Sequence, residues 1–243
     1  EALNHDFGTD QKSAYTTQAI ISKFLKDNNI EDTQKKTLGD WQASGAKNSQ
    51  GMEDKYMYSR IKINASLAKL RGEDMASLRK TEGQHWQGRG AAQFHEAWDE
   101  GSNDAMALIP YIAASQQQVK SLTNSTGTIN RIYRGLQGDI APILKAARKA
   151  ALKAGPGVVK EIWLGGGLQG WSMNKSTSKS IGAGSDGVLM SKENITPDDV
   201  LLYFNAFSNS HTGEQELALD PNSHAWFSPN EVDHAGTDGW GGN

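Results

Sequence analysis

The sequence predicts an α+β protein, helical in its first half and mostly β in its second, on three observations. Before residue 125, apolar side chains recur at helical spacing and strand-like alternation is missing. A turn-rich stretch, TNSTGT at 123–128, then marks a shift in composition. Beyond it the apolar residues alternate or form short runs, with one long helical pattern among them. The expected division is a helical N-terminal region over 1–125, packed on a β-rich core over 126–243.

In the first half, SAYTTQAIISKFLKDNNI (13–30) places Ala19, Ile20, Phe24 and Leu25 on one helical face and stops at Asn28-Asn29. The pattern returns in 58–80, interrupted at Gly72. Residues 93–100 and 104–122 predict two more helices, the second kinked or broken at Pro110. Four or five helices are expected, with a loop over 42–55.

In the second half, INRIYRGLQ (129–137) alternates as a strand. DIAPILKAARKAALKAGPG (139–157) predicts a helix capped by Asp139, with Pro142 in its first turn and Gly155 at its end. VVKEIWLGG (158–166), GLQGWSM (167–173) and HAWFSPN (224–230) read as strands. DVLLYFNAF (199–207) has the unbroken apolar character of a buried strand. EQELALD (214–220) alternates, which puts Glu214, Glu216 and Ala218 on one face and Gln215, Leu217 and Leu219 on the other. HAGTDGWGGN (234–243) reads as a frayed tail.

The totals exclude several chemistries. The 243 residues suffice for one large domain or two small ones. A net charge of -3 gives no bulk footprint for nucleic acid, although a local basic face stays possible. With no cysteine, disulfide scaffolds, thiolate metal sites and cysteine nucleophiles are ruled out. The histidines form no short ligand cluster, so no metal is expected. No apolar run approaches a membrane span. The first ten residues carry neither a basic nor an apolar stretch, and the chain opens on Glu rather than Met, so a leader could precede it.

Two literal motifs lack their context. Gly165, Gly167 and Gly170 match G-x-G-x-x-G, but no helix pattern starts inside the match, and a tight hairpin between two strands is the better account. Ser172–Lys175 and Ser176–Lys179 match S-x-x-K without a helical pattern or companion motifs.

Three further features fall in a telling order. Arg134 lies in IYRGL; Ser172 follows Trp171, with Ser176-Thr177-Ser178 just beyond; Glu214 and Glu216 form E-x-E. This order resembles the R-S-E signature of the arginine-type, cholera-toxin-like mono-ADP-ribosyltransferases, over roughly residues 128–220. The resemblance implies an ADP-ribosyltransferase-like split β-core of two packed, mostly antiparallel sheets, preceded by an α-helical region. It implies NAD as co-substrate, no metal, and transfer of ADP-ribose to a protein acceptor, with arginine favoured. Glu216 would stabilise an oxocarbenium-like transition state and hold a ribose hydroxyl. Glu214 would meet the acceptor guanidinium, and Arg134, beside Gly135, would clamp the NAD phosphates. Ser172 or Ser176 would orient Glu216, with Trp171, Thr177 and Ser178 near the nucleotide; Ser172 suits the strand-end position better. Phe207 and His211, in the loop before the glutamates, would face the target. The same likeness implies a bacterial toxin, injected effector or phage protein, secreted or delivered into a host cell. Other acceptors (threonine, asparagine, nucleic acid), simple NAD hydrolysis, and a non-enzymatic binding module stand as alternatives.

Overall fold

A computed structural model describes residues 14–43, 50–84, 86, 88–123, 125–136, 140–154, 162–163, 169–181, 187–208, 212–219, 226–227 and 232–235. It is α+β, as the sequence predicts, and resolves into two compact units. One comprises Glu1–Ala114 and Ala206–Ser210, the other Ser115–Asn205 and His211–Asn243. The division therefore falls inside a helix, ten residues or so before the turn at 123–128. It is also discontinuous, because the chain returns to the helical unit at 206–210.

The helical unit contains α1 (Ala14–Asp27), α2 (Gln34–Ala43), α3 (Gln50–Leu70), α4 (Met75–Gly83), α5 (Arg89–Asn103) and the start of α6 (Ile109–Leu122). Both expected stops are left-handed helix ends. Asn29 has φ +54° and Gly72 φ +69°. In each case the next amide reaches back to close the last turn: Ile30 N–H to the Leu25 carbonyl at 2.8 Å, and Glu73 N–H to the Ala68 carbonyl at 3.1 Å. Asp74 then caps α4 through the Ala76 and Ser77 amides. The break at Pro110 takes the form of a 3-10 turn, Ala105–Leu108, after which Pro110 sits in the first turn of α6, where a missing N–H costs little. The expected loop over 42–55 is corrected, since α3 already begins at Gln50. The sequence reading also passes over α2, a weakly amphipathic segment that nonetheless buries Leu38 and Trp41.

α3 and α5 set the packing of this unit. Ile61, Ala65, Phe94, Ala97 and Trp98 form an apolar cluster between them. The backbones come close at Gly101, where an added Cβ would lie 2.1 Å from the Lys62 carbonyl oxygen. The Ser66 hydroxyl lies 2.7 Å from the Gly101 carbonyl and accepts from Gln34 Nε2 at 3.1 Å. Lys62 is buried, and its ammonium meets Glu100 at 3.1 Å and Asp104 at 2.8 Å. Burial pulls the pKa of that ammonium down, but hydrogen bonds and charge from Asp104 and Glu100 outweigh it, and the net shift is upward.

The second unit is built on a six-stranded, fully antiparallel sheet in the order β5-β6-β3-β1-β4-β8. These strands are β1 (Ile129–Leu136), β3 (Gln169–Ser172), β4 (Val188–Ile195), β5 (Val200–Tyr203), β6 (Glu216–Leu219) and β8 (Val232–Ala235). Besides the end of α6, the helices described in this unit are α7 (Ile140–Ala154), as the sequence predicts, and α8 (Lys175–Ile181), which it does not. Among the described residues, two packed sheets are not seen. Apart from the open sheet, the described residues show one minimal pair, β2 (Ile162–Trp163) with β7 (Trp226–Phe227). That pairing also corrects the hairpin expected around the glycine motif, because β2 joins β7 while β3 joins the large sheet. Gly165 and Gly167 lie outside the described residues. The expected tail is corrected at its start: His234 and Ala235 belong to β8 and pair with Leu189 and Val188.

Two outcomes are expected. Gly101→Ala should cost about 1–3 kcal/mol or more, because only backbone can move out of the way; a chemical-denaturation midpoint equal to that of the unsubstituted chain would refute this. The tyrosines should make the fold alkali-sensitive. Burial pushes Tyr203 up to about 12 from 10.0, and it raises Tyr111 and Tyr58 too, with help from Asp32 and Glu100 respectively. Folded values above the unfolded one contribute stability that is complete below pH 10 and is lost as pH climbs through the folded values. Phenolate absorbance and circular dichroism should therefore change together above pH 10.

Candidate functional site

The three motif segments become neighbours because β3 lies between β6 and β1. Ser172, the last residue of β3, is the register partner of Glu216, the first residue of β6. On its other side Ser172 pairs with Tyr133 of β1, and Tyr133 pairs with Ser191 of β4. Directly opposed residues share a face, so Glu216, Ser172, Tyr133 and Ser191 form one row across four strands. The next positions on that face are Gly170 opposite Ala218, and Gly135, two residues past Tyr133, opposite Leu189. The reverse face is heavily apolar, with Trp171 at 2% exposure opposite Leu217.

Arg134 is half-buried, next to Tyr133, and paired with Met190. Strand alternation therefore sets it one step out of the Ser172–Glu216 row, on the other side of the pleat. One cation on the row's own side is Lys175, whose ammonium lies 5.4 Å from the centre of the Tyr133 ring; Arg131, two residues before Tyr133 on the same face, is paired with Glu193.

The two glutamates do not share a strand, which corrects the expected alternation. Glu214 ends a 3-10 turn, Thr212–Glu214, and Gln215 has φ +47°. The pleat begins only at Glu216. Leu217, Ala218 and Leu219 are all fully buried, so β6 has no solvent face to demand alternation. Glu214 is instead placed by main-chain bonds around its turn. The Ser172 hydroxyl donates to the Glu214 carbonyl and accepts from the Asn174 amide at 2.9 Å. The Met173 amide donates to the Gln215 carbonyl at 3.2 Å.

Of the later serines, none lies on β3. Ser176, Thr177 and Ser178 occupy α8, exposed, half-buried and buried in turn. The Ser178 hydroxyl donates to the Tyr133 carbonyl at 3.0 Å, which fastens α8 to β1. α8 forms despite weak helix propensity because Asn174 caps it: Oδ1 accepts from the Ser176 and Thr177 amides at 3.0 and 3.4 Å. Asn174 and Tyr133 were not singled out in the sequence, and Lys175 only as the lysine of an S-x-x-K match. For Asn174 a signal existed, an Asn two residues beyond a strand and directly before the helix.

Phe207 is not on a recognition surface. It is 3% exposed within the helical unit, edge-on to Tyr111 at 5.0 Å between ring centres, and its carbonyl accepts from Gln18. His211 lies outside the described residues. Among the described residues no group of three or more His, Asp or Glu side chains is arranged to hold a metal, and no helix is long and apolar enough to cross a membrane.

No family model, curated protein or solved structure matches the chain.

Proposed function

We propose that the chain is an NAD-dependent mono-ADP-ribosyltransferase with an ADP-ribosyltransferase-like core, transferring ADP-ribose to a protein acceptor, with arginine favoured. The observation that carries the reading is the direct pairing of Ser172 with Glu216, beside the turn that holds Glu214. The strand ladder sets the Glu216 backbone, and so where its carboxylate is carried. A negative charge there stabilises the positive charge that grows on ribose as the bond to nicotinamide breaks. The bonding pair leaves with nicotinamide. A guanidinium nitrogen of the acceptor then bonds to the ribose carbon and gives up a proton, for which Glu214 is the neighbouring base. Next to Ser172 on this face, Gly170 carries no side chain, which suits the close approach of a ribose to the strand.

Glu216→Gln should abolish both transfer of labelled ADP-ribose and release of nicotinamide, a loss of about 100-fold or more for a fixed transition-state charge. Glu214→Gln should lose transfer to arginine while keeping NAD cleavage. Equal labelling of a lysate by the unsubstituted chain and Glu216→Gln would overturn the reading. Arg134→Lys separates two cations. If Arg134 clamps the phosphates, the KM for NAD rises about tenfold or more, since a bidentate donor is lost. An unchanged KM would remove Arg134 from that role and direct attention to Lys175.

A further inference from the structure

We propose that Asn174 is a positioning residue for Glu214, its one carboxamide tying the glutamate's turn to the start of α8. Oδ1 caps α8 through Ser176 and Thr177, and Nδ2 donates to the Gly213 carbonyl at 2.8 Å. Aspartate would cap the helix as well, but its carboxylate has no hydrogen to donate. With Ser172 on the Glu214 carbonyl and Met173 on the Gln215 carbonyl, three consecutive residues hold three consecutive carbonyls.

The turn needs such a hold. Gly213 is exposed, and a Cβ placed there would meet nothing within 4 Å. Gln215 sits at φ +47°, a left-handed conformation that is unfavourable for a non-glycine residue. Glu216, by contrast, is placed by the β3–β6 ladder. The two glutamates are thus positioned by separable means, and disturbing one should spare the other. The functional half of this inference rests on the ADP-ribosyl-transfer reading; the structural half does not.

Asn174→Asp isolates the tie. It keeps the cap, and a carboxylate is welcome at a helix start, but it cannot donate to Gly213. The expected result is an unchanged Tm and unchanged amide exchange in α8. Exchange over 212–216 should rise about tenfold, the worth of one net hydrogen bond. Transfer to arginine should fall about tenfold while NAD cleavage holds. Asn174→Ala, losing cap and tie together, should also loosen α8. Unchanged exchange over 212–216 in Asn174→Asp would overturn the tie. Transfer and NAD cleavage falling together would overturn the selective role. If the unsubstituted chain neither transfers nor cleaves, the enzymatic reading fails by itself, and exchange alone then supports or overturns the tie.

Discussion

The arrangement of the second unit depends on where four residues lie. β3, Gln169–Ser172, is the shared partner of β6 and β1, and without it the motif segments would not adjoin. Its register is strongly specified because a slip of one residue would turn Trp171 out of the apolar face it shares with Leu217. The same tryptophan therefore fixes Ser172 opposite Glu216. The strand then stops at once, which frees the Ser172 hydroxyl to serve the chain's next turn and the neighbouring one. Burial on one side of the sheet thus determines polar geometry on the other.

The helical unit solves a different problem with a buried charge. Lys62 is buried where α3 and α5 approach closely at Gly101, and its ammonium is paired within the protein. Two carboxylates do this, one largely in solvent and one less so. Ser66 and Gln34 meet the remaining carbonyls at the same crossing. This is a polar seam inside an otherwise apolar junction, and it fixes how far each helix can slide along the other.

Much of this was legible where a local demand leaves a local mark. Asn29 and Gly72 advertise left-handed helix ends, and the unbroken apolar run Val200–Tyr203 advertises a buried strand. The order of Arg134, Ser172 and Glu216 could be read because each segment is itself strand-like. Other features were hidden because their cause is non-local. Gln215 is not a residue that announces positive φ, so the strand reading ran through it to Glu214. α8 is poor in helix formers and is held by Asn174 and by Ser178 on β1. β4 buries Val188, Leu189 and Met190 and then turns polar, which leaves neither alternation nor a full apolar run. The burial of Phe207 depends on Tyr111, far back in the sequence.

That last contact has a consequence for synthesis. Gln18, in the first helix, bonds the carbonyl of a residue 189 positions later. A ribosome releasing this chain from its N-terminus would expose α1 through α6 long before Phe207 emerges. The helical unit must then wait, with Tyr111 lacking its ring partner, while five of the strands are made. It closes only when the chain passes through it a second time. Neither unit can be excised by a single cut, and a nascent or truncated chain ending before residue 206 would carry an unfinished helical core.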